Sequence, residues 1–390
     1  MERSYVISRA RLILENSVDL GWISVENGKI SGVGIGEYIN ASCEKVIDAE
    51  ENYLSPGFID LHVHGGNGFD FMDGDPHGFE EIARYHSSNG VTSMLATTLA
   101  GELDETERVL KTFCDVKNGI QSCSLLGVHL EGPYFSQKYR GAQDLRYLRS
   151  PDLAEIDRLL SYGVVKRWSM APELDGALEL GKRLKAEGIV ASIAHTDADF
   201  DTVKGALEHG FSLITHLYSG MSSASIRNGR RHGGVVEAGL LLEDLSVELI
   251  ADGYHLGPEL LQLILKCKGH EKIILTSDAM RGAGLPENSV TKLGSLINGQ
   301  DVRIYGGVAH TMDGNYFAGS VASGNRLLRT MLSYTNAPIW DAVNMLTKNP
   351  AKLIGADDRK GALRVGMDAD MVLFDRDINV VSVINGGEWL

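Results

Sequence analysis

Cysteine is scarce in this chain, with four in 390 residues: Cys43, Cys114, Cys123 and Cys267, scattered without Cys-x-x-Cys spacing. That excludes a thiolate metal centre and fits unpaired thiols in a reducing compartment. Long apolar runs are also missing. No segment approaches the roughly 18–20 apolar residues that span a bilayer, and the opening Met1-Glu2-Arg3-Ser4 leads into none. A cytoplasmic protein with no membrane partner is expected. Basic charge is short as well: 37 Lys and Arg stand against 52 Asp and Glu, a net charge of −15. Phosphate-rich polymers are bound by basic stripes, so nucleic acid is excluded as a partner. Any small anionic ligand must find a local basic patch.

What the chain does have is bulk and alternation. With 43% hydrophobic residues, its length suits one large α/β unit and a smaller companion. Residues Gly21–Val33 alternate apolar and polar around Asn27-Gly28, a β-hairpin signature. Short strands punctuated by glycine recur near the end at Asp370–Asp375 and Val380–Gly387. The expectation is a small β-sandwich domain formed from both chain termini, residues 1–54 with 358–390, around a barrel over 55–357.

Within 55–357 eight apolar segments read as strands: Phe58–Leu61, Val91–Thr97, Ser124–His129, Val165–Met170, Ile189–Ala194, Ser212–Thr215, Ser246–Ala251 and Ile273–Thr276. Stretches of helical period separate most of them, among them Phe79–Ser88, Leu103–Cys114 and Pro258–Cys267. Eightfold alternation predicts an α/β fold of the (β/α)8 TIM-barrel type. A doubly wound sheet would instead gather its ligands at one switch point.

Barrel chemistry sits where strands end, so the strand exits carry the functional reading. The first exit holds His62 and His64, two apart and therefore on one side of an extended chain. Two hydrogen-bonded histidines would look the same in isolation. The third exit adds Glu131, with His129 packed behind it; the fifth adds His195 and the sixth His216. These five candidate ligands, His62, His64, Glu131, His195 and His216, are imidazoles and a carboxylate without thiolate. They suit one or two divalent ions, Zn, Fe, Mn or Co, with Glu131 able to bridge. Asp278, after the eighth strand, is a candidate general base and acid; as an alternative it caps a following helix. His255 lies a few residues past the seventh exit, apt for touching substrate. The loop after His216 is the basic patch, with Arg227, Arg230 and Arg231 among glycines and serines, suited to a phosphate.

Pro-Gly-Phe-Ile-Asp-Leu-His-Val-His-Gly-Gly at 56–66, His-Leu-Glu-Gly-Pro at 129–133, Gly-Ala-Gln at 141–143, Ala-His-Thr at 194–196, Thr-His-Leu-Tyr at 215–218, Ala-Asp-Gly-Tyr-His at 251–255 and Thr-Ser-Asp-Ala-Met at 276–280 together resemble the N-acetylglucosamine-6-phosphate deacetylases of the amidohydrolase superfamily. The resemblance implies a homodimeric, metal-dependent enzyme that hydrolyses the acetamide of an amino-sugar phosphate. By that pattern Glu131, His195 and His216 are the principal metal ligands, His62 and His64 help hold a second ion, and Asp278 is catalytic. His255 and Gln143 match substrate contacts, and Arg227 matches an arginine that reaches the phosphate in the neighbouring subunit. The chain departs from the pattern at Tyr218-Ser219-Gly220-Met221, where many members read Tyr-Asn-Ala-Met. Ser219 and Gly220 therefore hold the sugar-contact positions, and either Arg227 or Arg230 aligns with the phosphate ligand. The galactosamine epimer, another N-acyl amino-sugar phosphate and an unphosphorylated sugar stay open as substrates. Cyclic-amide hydrolysis is less favoured, since no bridging lysine stands at Ser169-Met170-Ala171-Pro172. A barrel without catalysis, serving as a binding module, would lack the ligands or the aspartate, and this chain has both.

Overall fold

Residues 4–39 and 45–390 are described by the computed structural model of the chain; Cys43 falls outside them, and the other three cysteines are free thiols. The eight expected strands form one parallel sheet, each end within two residues of its predicted position: Phe58–Val63, Val91–Thr97, Ser124–Glu131, Val165–Met170, Val190–Ile193, Phe211–Ile214, Ser246–Ile250 and Ile273–Thr276. They pair in chain order, first to eighth. These strands are buried along most of their length, as strands covered on both faces must be. The doubly wound alternative is thereby excluded.

The seam between the first and eighth strands is closed by side chains and a loop. Asp60, buried in the barrel, accepts from Thr276 Oγ1 at 2.6 Å and from the Ser277 N–H at 3.2 Å. Beyond the strand ends the Asp278 N–H donates to the His62 carbonyl at 2.9 Å. One residue earlier on each strand than Asp60 and Thr276, Ile59 and Leu275 donate to the carbonyls of Leu346 and Met345, so that this short segment bridges the two strands. The barrel therefore closes at its catalytic rim through residues next to the candidate ligands.

Helices pack outside the strands, several started by an aspartate cap: Asp75 for Pro76–Ser87, Asp152 for Leu153–Leu160 and Asp199 for Phe200–Glu208. Such a cap is typically worth about 1 kcal/mol. A three-stranded antiparallel sheet, Val290–Leu293, Gln300–Tyr305 and Val308–Thr311, follows the eighth strand and stands beside the barrel mouth.

The chain ends build a second sheet. Ser4–Ile13 pairs with Val18–Glu26 and, in parallel, with Val46–Asp48 and Tyr53–Pro56; Tyr53–Pro56 in turn pairs antiparallel with Met371–Phe374. The expected hairpin turns at Asn27-Gly28, both in the left-handed region at φ 51° and 76°, as a tight turn between twisted strands requires. Ile7, Leu12, Ile23, Val25, Leu54, Met371 and Ile384 make this sheet's own apolar core. Among the described residues no helix is long and apolar enough to cross a membrane.

Candidate active site

Every candidate ligand leaves a strand at the same end of the barrel. Asp60 and His62 alternate along the first strand and His64 follows its end, while Glu131 ends the third. His195, His216 and Asp278 each follow their strand by two residues, and each takes a left-handed backbone, at φ 44°, 30° and 49°. A non-glycine residue in that region costs about 1–3 kcal/mol, and such strain is held only where its surroundings fix it. Here the bend turns each side chain into the mouth. No helix starts at Asp278, so the capping alternative falls.

Four imidazole Nε2 atoms converge on one carboxylate. His216, His62 and His195 stand 3.2, 3.4 and 3.5 Å from Glu131 Oε1, and His64 stands 3.5 Å from Oε2. Asp278 Oδ1 is 3.1 Å from His64 Nε2 and 3.4 Å from His62 Nε2. Two groups able to hold a metal result, His62–His64–Glu131 and Glu131–His195–His216, each with its donor atoms within 4.8 Å of one another. The donor set fits a divalent cation. His195 Nδ1 lies 2.9 Å from the Tyr139 carbonyl and His62 Nδ1 lies 2.9 Å from Glu248, so the protons belong on the outer nitrogens and the inner lone pairs are free.

The electrostatics divide the histidines. Burial opposes charge on His62, but Asp278, Glu131 and Glu248 outweigh it and push its pKa up to about 10. Burial also opposes charge on His64, and Asp278 and Glu131 again prevail and raise it. For His216 burial wins and the value is lowered. His129, buried beside Arg167, is held well below the ordinary imidazole value. Burial would raise both carboxylates, yet His62, His195 and His216 keep Glu131 well below the usual range, and His62 and His64 keep Asp278 low. A positive charge is thus favoured at Nε2 of His62 and His64, where proton and metal compete for the same lone pairs.

A cavity of about 250 Å³ opens over this centre, lined by Gln143, Ser219, Gly220, His255 and Asp278 among others. Gln143 donates from Nε2 to Glu131 at 2.6 Å and accepts the Ala100 N–H at 3.1 Å, so the residue expected at the substrate also braces the shared ligand. His255 Nδ1 rests on Asp252 at 2.8 Å, with its ring edge on Phe317. Gly220 has φ 58°, and a Cβ there would fall 2.7 Å from His195 Nδ1, so glycine is what lets the loop lie against that ligand. Arg227 lies elsewhere in the chain's own structure, on an exposed two-stranded hairpin, Ser225–Arg227 with Arg230–His232, where it donates to Asp199 at 2.8 Å.

Sequence reasoning missed Glu248 and Arg167, which pair fully buried behind the ligands, as well as Asp60 and Asp252. A charge inside an apolar strand, as in Ser246-Val247-Glu248-Leu249-Ile250, was the available signal. It also missed the cavity wall at Asn315–Phe317. That wall follows a hairpin turning at Gly306-Gly307, which the alternation of Val302–Tyr305 announces.

The amidohydrolase family model matches residues 53–390. N-acetylglucosamine-6-phosphate deacetylase of Bacillus subtilis (strain 168) is 35% identical over 99% of this chain and 97% of its own length. N-acetylgalactosamine-6-phosphate deacetylase of Escherichia coli O157:H7 is 31% identical over 97% of both. The solved N-acetylglucosamine-6-phosphate deacetylase of Thermotoga maritima superposes with a TM-score of 0.87 at 33% identity, covering 98% of this chain and 99% of that one. Together with the two His/Glu groups at the barrel mouth, these likenesses mean that the chain belongs to the amidohydrolase family, within its branch of amino-sugar-6-phosphate deacetylases.

Proposed function

We propose that the chain hydrolyses the acetamide of N-acetylglucosamine 6-phosphate, giving glucosamine 6-phosphate and acetate. The observation that carries this reading is the convergence of four imidazoles on Glu131, with Asp278 against two of them, beneath a sugar-sized cavity. Zinc, iron, manganese or cobalt held by His62, His64, Glu131, His195 and His216, as one ion or two, supplies a Lewis acid for the acyl oxygen and acidifies water. Asp278, with Oδ1 3.1 Å from His64 Nε2 and 3.4 Å from His62 Nε2, stands beside the ligand atoms, in place to take a proton from the attacking water. The same carboxyl then returns that proton to the departing amine, without which the C–N bond would have to expel an amide anion. His255, fixed through Nδ1 on Asp252, presents Nε2 to the cavity, where it orients the sugar or the acyl oxygen. Gln143, which lines the same cavity, has a second N–H to offer to the same use.

Phosphate recognition falls to the basic hairpin. Arg227, outside its own cavity, serves the site of a second subunit in a homodimer, with Arg230 as the neighbouring candidate. A second reading has N-acetylgalactosamine 6-phosphate as the substrate. It is favoured by Ser219-Gly220 standing where an asparagine would contact the sugar, and by the likeness to a deacetylase of that epimer.

Acetate release from both phosphorylated sugars and from unphosphorylated N-acetylglucosamine, using metal-loaded wild type beside Arg227→Ala, tests the reading. Preference for a phosphorylated sugar, lost with Arg227, is expected. Equal turnover of the unphosphorylated sugar would overturn the phosphate assignment, and inertness towards all three would overturn the substrate.

A further inference from the structure

Glu248 lies in the seventh strand with no solvent contact, and the chemistry above does not use it. Its Oε1 is 2.9 Å from His62 Nδ1 and 3.3 Å from the His216 backbone N–H, while its Oε2 is paired with Arg167. Arg167, equally buried on the fourth strand, also donates to Ser192 Oγ at 3.2 Å, to the Leu61 carbonyl at 3.3 Å and to Thr215 Oγ1 at 2.9 Å. The guanidinium is therefore tied across the barrel to the first, fifth and seventh strands and to the residue that follows the sixth.

A carboxyl alone in such a place would take up a proton rather than stay charged. Beside a guanidinium, which does not surrender its proton in proteins, it stays ionised and accepts only. The contact with His62 then requires hydrogen on Nδ1. With that tautomer set, the Nε2 lone pair points to the other side of the ring, 3.2 Å from His64 Nε2 and 3.4 Å from Glu131. The opposite tautomer would face a lone pair to a carboxylate on one side and a proton to the metal position on the other.

We infer that the Arg167–Glu248 pair is the positioning device for an ion at the His62–His64–Glu131 group, fixing the tautomer and angle of His62 and so deciding whether that ion is kept. The Glu131–His195–His216 group does not depend on it: His195 is set by the Tyr139 carbonyl, and Glu248 reaches His216 only at its backbone. The inference rests on the two-ion form of the metal site proposed above, with an ion at each group.

The test compares full-length wild type, Glu248→Gln and Glu248→Asp by elemental analysis and by Co²⁺ titration followed through its visible absorption, with thermal unfolding recorded alongside. Wild type is expected to take two equivalents. Glu248→Gln should retain one tightly and bind the other about 10–100-fold more weakly, the usual cost of losing a group that orients a ligand, and Glu248→Asp should recover part of the loss. Two equivalents at wild-type affinity in Glu248→Gln would sink the inference while leaving the two-group reading intact. Equal weakening of both ions, in step with a fallen unfolding temperature, would reduce the pair to a structural role. One equivalent in wild type would overturn the two-ion form of the site, and the inference with it, while leaving a one-ion hydrolase standing. If Glu248→Gln does not fold, Arg167→Lys carries the test, with the same selective weakening expected and unchanged binding the overturning result.

Discussion

The barrel axis and the terminal sheet each bury an ion pair, and the two pairs lead to different places. Arg167–Glu248 is walled in by strands and ends on His62, a candidate ligand. Lys360–Asp370 is nearly as buried, but Asp370 goes on to the Gly386 N–H at 2.7 Å, and Lys360 lies 3.3 Å from Asp368, which reaches Lys29 at the surface. One pair terminates at chemistry and the other ties a loop to a turn. In both cases desolvation is costly, and removing one partner costs more than replacing both. The charges alone do not separate the two roles. What separates them is position: Glu248 meets His62, one of the candidate ligands, inside the barrel, whereas Asp370 sits just before the strand Met371–Phe374.

The sharpest way to break this comparison is at the far end of the axis. Asp278→Asn should keep its metal and its unfolding midpoint while turnover falls about 100- to 10,000-fold, the range lost with a general acid–base group. Near-normal turnover of the metal-loaded variant would remove the role given to that residue. The terminal sheet should behave in the opposite manner. Lys360→Met strands Asp370 in a buried site and is expected to cost about 3–5 kcal/mol of stability, read by denaturant unfolding, with turnover per folded molecule unchanged. Adding Asp370→Asn, which keeps an acceptor for Gly386, should restore most of that. If the single variant lost activity in proportion, the two regions would not be separable as described.

The smallest effect is a pH dependence in the terminal sheet. Burial would raise Asp368, but Lys29, Lys360 and Arg359 outweigh it and lower its pKa. A carboxyl lowered in the folded state stabilises fully above its unfolded value, about 3.9, and loses that contribution as pH falls through the folded value. Asp368→Asn should therefore unfold less steeply than wild type on acidification below about pH 4, by under about 1 kcal/mol, since a partly exposed cluster is screened. Coincident acid-unfolding curves would show the cluster to be neutral in effect.

Much of the architecture was legible because it is periodic. Strands buried on both faces read as apolar runs, the hairpin at Asn27-Gly28 was written in its turn residues, and the rule that barrel sites gather at strand exits picked out His62, His64, Glu131, His195, His216 and Asp278, all of which meet in space. What was not legible depends on contacts across the barrel. Arg167 and Glu248 stand 81 residues apart, and nothing local to either announces the other. Gln143 reads as a substrate contact by position and turns out also to hold Glu131, because the loop that carries it folds back over the ligand. The left-handed bends at His195, His216 and Asp278 are equally silent, since none is a glycine.

Tyr53–Pro56 lies between Ser4–Ile13 on one side and Met371–Phe374 on the other. During synthesis the first neighbour leaves the ribosome early, but the second follows only after the whole barrel has been made. At about 5–20 residues per second the wait is roughly 15–60 s. Throughout that time the strand shows an open edge, an invitation to the wrong partner. The nascent chain must therefore carry an unfinished sheet for as long as its enzyme core takes to emerge, and the strand Met371–Phe374, made after that core, covers the exposed edge.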